Sequence, residues 1–233
     1  MQKRTFDDFD AFAPSYRESH NKNLKISGAD SAYFAEMKVQ ILQRYECNDL
    51  LNFLDIGCGD GLTEVFIKKY FPQWKISGVD VSEASINEAR KRNIEGADFL
   101  SYNGEATVVK NETVDVIFIA GVLHHINKSL HSNILLEAKR VLKPGGRIYL
   151  FEHNPFNPLT RYLVNTCVFD RDARLLNYYY TMSVLKKVNF MINKKQFIIF
   201  LPIKGLLSKF RFMEKYLHWL PLGGQYFFRA IKK

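Results

Sequence analysis

Residues 53–61 read Phe53-Leu54-Asp55-Ile56-Gly57-Cys58-Gly59-Asp60-Gly61, an apolar run that breaks into three glycines at alternate positions. Glycine has no Cβ, so a backbone built this way turns sharply where a strand ends and lets a ligand come into contact with the main chain. A bound ligand is therefore expected here. The dinucleotide fingerprint Gly-x-Gly-x-x-Gly would set its third glycine at position 62, but that position is Leu62 and the glycine stands at 61. Spacing thus argues against a pyrophosphate loop of the dinucleotide type.

The chain has 233 residues, enough for one well-buried α/β domain rather than two independent ones. A single domain over 1–233 is expected. The first residues, Met1 to Asp8, are charged and lack the apolar stretch of a secretory signal, and no apolar run reaches the length of a membrane span. A cytoplasmic location follows as the expectation. Cys47, Cys58 and Cys167 form no Cys-x-x-Cys pair, which argues against a disulfide framework and a cysteine zinc site. The net charge of +9 asks for an acidic partner or a basic solvated surface, and much of the excess falls after residue 185.

Hydrophobic periodicity divides the chain into alternating units. Tyr33, Phe34, Met37, Ile41 and Leu42 mark a helix within residues 29–46, ahead of a strand from Leu51 to Asp55. A helix from Leu62 to Tyr70 stops at Pro72, a strand runs from Trp74 to Val79, and Ser82 opens the next helix as its N-cap. Ala97–Ser101 reads as a short third strand. Val114–Ala120 is the unbroken apolar run of a strand buried on both faces. A helix over 128–141 gives way at Lys143-Pro144-Gly145-Gly146 to a strand over 147–152. Later come a Pro-punctuated segment at 154–160, a helix near 181–189, and strands near 196–201 and 225–230. The last two suit an antiparallel hairpin at a sheet edge.

Asp55, Gly57, Gly59 and Gly61 match an acidic residue followed by Gly-x-Gly-x-Gly, and Asp80 ends the second strand about twenty residues on. With the loop at Asn103-Gly104-Glu105-Ala106 and the Leu-Lys-Pro-Gly-Gly turn before the fifth strand, these features resemble, in order, the class I S-adenosylmethionine (SAM)-dependent methyltransferases. The likeness covers roughly residues 50–153 and is closest to the small-molecule branch, which includes quinone-biosynthesis C-methyltransferases. It implies a Rossmann-like, doubly wound, mostly parallel seven-stranded sheet with a C-terminal antiparallel hairpin. An N-terminal helical cap (1–48), a SAM-binding core (49–153) and an acceptor-side part (154–233) would complete it. It also implies SAM as cofactor and S-adenosylhomocysteine as product. Asp55, Gly57, Cys58, Gly59 and Gly61 would cradle the cofactor, Asp80 would hold the ribose, and Val81 would pack on adenine. Gly104, Glu105 and Ala106 would reach the adenine edge, with Glu105 where the family usually has Asp, and Ala120 would admit the methionine end.

Ala120-Gly121-Val122-Leu123-His124-His125 ends the fourth strand, and Phe151-Glu152-His153-Asn154-Pro155 ends the fifth. His124, His125, Glu152 and His153 are the candidate catalytic groups, since imidazole and carboxylate can hold or move a proton near neutral pH. Neighbours on an extended strand face opposite ways, so at most one of His124 and His125 is expected to face the site. Methyl transfer from a sulfonium needs alignment above all, and no metal or covalent residue is required for it. Asn154-Pro155-Phe156 is comparable with the Asn-Pro-Pro-aromatic signature of amino-group DNA methyltransferases, but it follows the fifth strand and not the fourth.

Leu206, Phe210, Met213, Leu217 and Leu220 recur at helical spacing opposite Lys204, Ser208, Arg211, Lys215 and His218. A basic amphipathic helix over 204–220 is expected, flanked by Phe212, Tyr216 and Trp219. It reads either as a cover helix on the sheet or as a peripheral membrane contact. The expected acceptor is a small molecule or a lipid- or glycan-linked group. RNA or DNA, and a non-catalytic SAM-binding module, are the alternatives.

Overall fold

The computed structural model describes residues 29–47, 49–167, 170, 173–200 and 214–233. Its centre is a seven-stranded sheet of order β3-β2-β1-β4-β5-β7-β6. The strands are β1 (Asn52–Ile56), β2 (Lys75–Asp80), β3 (Ala97–Ser101), β4 (Val114–Ala120), β5 (Leu142–His153), β6 (Phe190–Ile198) and β7 (Gln225–Lys232). β1 to β5 pair in parallel, and β7 runs antiparallel to both β5 and β6. This is the expected Rossmann-like fold with its C-terminal hairpin. Strand order reverses between β1 and β4, which opens a crevice at the carboxyl ends of these strands, where ligands of such sheets bind.

Parallel strands are buried on both faces, and successive side chains alternate between them. Leu54, Ile56, Ile117, Ile119, Ile148 and Leu150 face one side, packed with Leu135 and Ala138 of helix α4 (His131–Val141) and Leu185 of α6 (Tyr178–Lys187). Phe53, Val116, Phe118, Tyr149 and Phe151 face the other, against Val39 and Leu42 of α1 (Ser31–Gln43) and Ile67 of α2 (Leu62–Tyr70). Phe71 and Trp74 stack at 3.9 Å below them. Asp30 caps α1 by accepting the Tyr33 amide at 2.8 Å, and Ser82 caps α3 (Glu83–Lys91) by accepting that of Ser85 at 3.0 Å.

Several boundaries differ from the sequence reading. The Pro-punctuated stretch opens a helix, α5 (Pro158–Thr166): Asn157 accepts the Thr160 amide at 2.8 Å, and Pro158 sits at the start, where its missing N–H is no loss. The C-terminal hairpin begins earlier than expected, because β6 starts at Phe190. Met191, Asn193, Lys194 and Lys195 are outward or half-buried there, so the apolar pattern starts late. The expected basic helix over 204–220 lies partly outside the described residues. The described part is one turn, α7 (Glu214–Leu217), and it ends at Leu217 rather than Leu220. His218 then gives its carbonyl to the Phe197 amide. Of the expected N-terminal cap, α1 and its exit to Cys47 are described.

A buried carboxylate ties that exit to the sheet. Glu46, its side chain 2% exposed, accepts from Tyr149 Oη at 2.5 Å, from Arg229 Nε at 3.2 Å and from Arg147 Nε at 3.0 Å. It thus fastens α1 to β5 and β7. Removing one member of a buried ionic cluster leaves the others uncompensated. Glu46→Gln is expected to cost about 3 kcal/mol. That corresponds to a drop in Tm of roughly 6–12 °C by thermal denaturation followed by circular dichroism. An unchanged Tm would show that the arginines are satisfied by solvent instead.

Candidate active site

The glycine loop leaves β1 and is held by β2 alongside. Gly57 and Cys58 amides donate to the Val79 carbonyl at 2.7 and 3.2 Å, and Gly59 donates to Asp80 Oδ2 at 2.9 Å. Gly57, Gly59 and Gly61 all have positive φ, near 84°, 56° and 74°, the region that L side chains rarely enter. At Gly57 a Cβ would lie 2.4 Å from Val122 Cγ2, so the loop is pressed against the turn that follows β4. At Gly59 a Cβ would meet nothing within 4 Å among the described residues. Cys58 points the other way, buried with Ile86, Ala89 and Phe99, and burial pushes its thiol up.

Asp80 accepts the Ser82 amide through Oδ1 at 3.0 Å as well as that of Gly59, so its carboxylate ties the glycine loop to the start of α3. Val81 follows it, half-buried. The Tyr102 amide bonds the Asp80 carbonyl at 3.1 Å, which brings the next loop to the same edge. In that loop Asn103 Oδ1 accepts from Glu105 N at 3.0 Å and Ala106 N at 3.4 Å, Gly104 has a φ of 80°, and Glu105 is exposed. Ala120 is half-buried at the end of β4.

Beneath the loop lies a second acid that the sequence reading passed over. Asp55 and Glu64 are buried together, and Asp55 Oδ1 and both Glu64 carboxylate oxygens have no hydrogen-bond donor among the described residues. Burial pushes Asp55 up to about 8, against a side-chain contact with Glu64 that lowers it and with Asp80 adding to the rise, and burial together with the Asp55 charge pushes Glu64 well above the ordinary carboxylate range. An acid at the buried position of the Leu62–Ile67 turn was the available signal.

Across the crevice, β4 runs into a 3-10 turn, Leu123–His125, not an extended strand. That changes the expectation for the two histidines. A tight turn does not alternate its side chains, and both rings, 4.2 Å apart, converge on Asp170: His124 Nε2 at 3.8 Å and His125 Nε2 at 3.5 Å from Oδ1. Glu152 organises the turn from β5. Its Oε1 accepts the Leu123 amide at 2.9 Å and its Oε2 meets His124 Nδ1 at 2.6 Å. The His153 ring lies 5.1 Å from that of His124. All four expected catalytic residues therefore meet, joined by Asp170. The segment carrying Asp170 is fastened to the turn, because Arg174 N donates to the His124 carbonyl at 2.8 Å. No spacing rule marks Asp170 in the sequence.

The charges of this cluster follow from its packing. Burial works against the His124 cation, but the Glu152 and Asp170 carboxylates outweigh it and raise the ring to about 9. Burial lowers His125 to about 3 and His153 to about 4, and the neighbouring His124 cation adds to both. Burial alone would raise Glu152 and Asp170, yet their histidine neighbours hold both below the usual range. The rim of the cluster is partly open: the His125 side chain is 22% exposed and that of Asp170 14%.

Residues 53–146 match the family described as a methyltransferase domain. The chain is 36% identical over 110 residues to the demethylmenaquinone methyltransferase of Lactococcus lactis, covering 44% of this chain and 42% of that protein. It is 30% identical over 135 residues to the trans-aconitate 2-methyltransferase of Rhodopseudomonas palustris, covering 58% and 51%. The chain thus spans about half the length of these curated relatives, or less. In fold it is similar to a SAM-dependent methyltransferase from Thermotoga maritima, with a TM-score of 0.69 at 21% identity over 98% of this chain and 99% of that one. It is also similar to phosphoethanolamine N-methyltransferase 2 of Haemonchus contortus, with a TM-score of 0.70 at 17% identity over 98% and 60%. The motif order, the strand order and the match over 53–146 thus agree in making residues 53–146 similar to the methyltransferase domain of class I SAM-dependent enzymes.

Proposed function

We propose that this chain transfers the methyl group of SAM to a small-molecule acceptor, lipid- or glycan-linked molecules included, and releases S-adenosylhomocysteine. The observation that carries the reading is the Gly57–Val122 contact. It sets an open glycine cradle directly beside a buried, charged acceptor-side cluster. The cradle fits the cofactor on its own terms. A Cβ at Gly59 would meet no described residue within 4 Å, Asp80 ends β2 beside the loop with a carboxylate of the kind that accepts from ribose hydroxyls, and the Asp55–Glu64 pair is buried at the same strand end. Bound there, the cofactor supplies a methyl group made electrophilic by its sulfonium.

The protein's part is alignment and charge. The acceptor's lone pair would bond to the methyl carbon as the carbon–sulfur electron pair returned to sulfur, leaving a neutral thioether. A proton on the attacking atom departs to a neighbouring base or to solvent. His124, His125, Glu152 and His153 surround the place where an acceptor would approach, and Asp170 completes the group. Residues 156–162 and 216–222 add exposed apolar side chains on the acceptor side, Phe156, Tyr162, Tyr216, Trp219 and Leu222 among them. They suit an acceptor with an apolar body. The net charge of +9 favours a second reading, a nucleic-acid acceptor.

Three outcomes test the reading. Asp80→Ala removes the ribose acceptor and the brace on Gly59 together. SAM is expected to bind the wild-type protein with micromolar Kd by calorimetry and the variant at least tenfold more weakly, since a hydrogen bond to a charged group contributes about 1.5–3 kcal/mol. Equal affinities would remove Asp80 from the site.

Asp55 gives a pH signature. A carboxyl whose folded pKa lies near 8 binds its proton more tightly folded than unfolded, so its contribution to stability is present below the unfolded value of 3.8 and is lost as pH rises towards 8. The melting temperature of ligand-free Asp55→Asn, minus that of the wild type, is expected to grow between pH 5 and pH 8. A constant difference would mean that Asp55 is ionised in the fold.

The acceptor itself is sought with methyl-labelled SAM and fractionated cell extract. Label is expected in small molecules of the lipid or aqueous phase, at a rate little affected by salt. Label in nucleic acid, falling steeply as salt rises, would favour the second reading.

A further inference from the structure

The motifs require no metal, yet the fold assembles a set of ligands for one. We propose that His124, His125 and Asp170 form a binding site for a first-row divalent transition-metal ion at the acceptor edge of the cleft. His124 Nε2 and His125 Nε2 lie 3.8 and 3.5 Å from Asp170 Oδ1, and the three atoms all fall within 4.8 Å of one another. Bonds of about 2.0–2.2 Å to one ion would set such atoms roughly 3.0–3.5 Å apart. A contraction on the order of an ångström closes the set, and the 3-10 turn and the half-open Asp170 leave room for it. A metal ion would take the place of the ring proton that His124 otherwise offers to Asp170.

The surroundings are those of a ligand shell. Glu152, with its side chain 0% exposed, bonds His124 Nδ1 at 2.6 Å, and this fixes the ring so that Nε2 is the nitrogen turned towards Asp170. A carboxylate behind a metal-bound histidine is the usual device for orienting the ring and raising its basicity. The Leu123 amide on the other Glu152 oxygen and the Arg174 amide on the His124 carbonyl hold the ligands' backbones in register. Two imidazoles and one carboxylate suit zinc, iron, manganese or cobalt better than magnesium or calcium, which prefer all-oxygen shells. Three protein ligands leave at least one position open. On the partly exposed side formed by His125 and Asp170, that position can take an oxygen of the acceptor and lower its pKa.

The role towards the acceptor rests on the reading above, whereas metal binding stands without it. The metal-free Cys47→Ser protein, which lacks the one exposed thiol, is titrated with Co(II) and read by visible absorption. Ligand-field bands and a micromolar Kd are expected, and acetohydroxamate, an oxygen chelator, should shift the bands. Asp170→Asn and His125→Gln, both at partly exposed positions, should each weaken Co(II) at least tenfold while retaining S-adenosylhomocysteine binding by calorimetry. Absence of the bands at millimolar Co(II), or the same affinity in both variants as in the parent, overturns the proposal. If the parent binds Co(II) through these residues but does not bind SAM, the metal site stands and the methyl-transfer reading falls.

Discussion

Gly57 is glycine because Val122 occupies the space where its side chain would be. The contact joins the loop after β1 to the turn after β4, the two strands between which the sheet order reverses. At such a reversal the helices following the two strands leave on opposite faces, and the loops part to form a cleft. In this chain the parting is narrow. A Cβ at 57 would lie 2.4 Å from Val122 Cγ2, so any larger residue would push the cradle away from the turn that carries His124 and His125. The relative position of the two halves of the site is thus set by van der Waals contact, and the hydrogen bonds of Asp80 and Glu152 refine each half separately.

Four buried carboxylates show how environment decides what an acid does. Glu46 meets two guanidinium groups and a phenol, and it serves as a structural tie at the far edge of the sheet. Glu152 meets an imidazole and a backbone amide, and it stays ionised while ordering a turn. Asp55 and Glu64 meet mainly apolar neighbours and each other, so burial keeps protons on them. Only the last pair has hydrogen-bonding capacity left over.

The core was legible because its signals are local. The apolar run at 114–120, the Ser82 cap and the Pro72 stop each act within a few residues, and the strands and helices fall there as read. The α5 helix was hidden by its prolines, although Asn157-Pro158 is a sound helix start when Asn caps and Pro takes the first turn. The glycine loop and the Asp80 strand end were legible for the same local reason. The acceptor side was only partly so. The four polar residues at the ends of β4 and β5 stand out in the sequence, but their geometry depends on a 3-10 turn that reverses the expectation drawn from strand alternation. Asp170 lies far along the chain from His124, and nothing in its own neighbourhood announces the meeting.

That difference in legibility has a physical origin. The glycine cradle is built by adjacent parallel strands, so pairing of β1 with β2 brings Gly59 and Asp80 together as a matter of register. The acceptor edge draws on β4, β5 and a segment beyond α5 that is fastened by single bonds such as Arg174 N to the His124 carbonyl. Changing a residue in that segment leaves the strand pairing and the cradle untouched. The strand pairing of β1 with β2 thus holds the glycine loop independently of the bonds that hold Asp170 and Arg174 beside His124. A sheet that fixes one ligand by register and the other by tethered segments separates the constant part of a group transfer from the part that selects the acceptor.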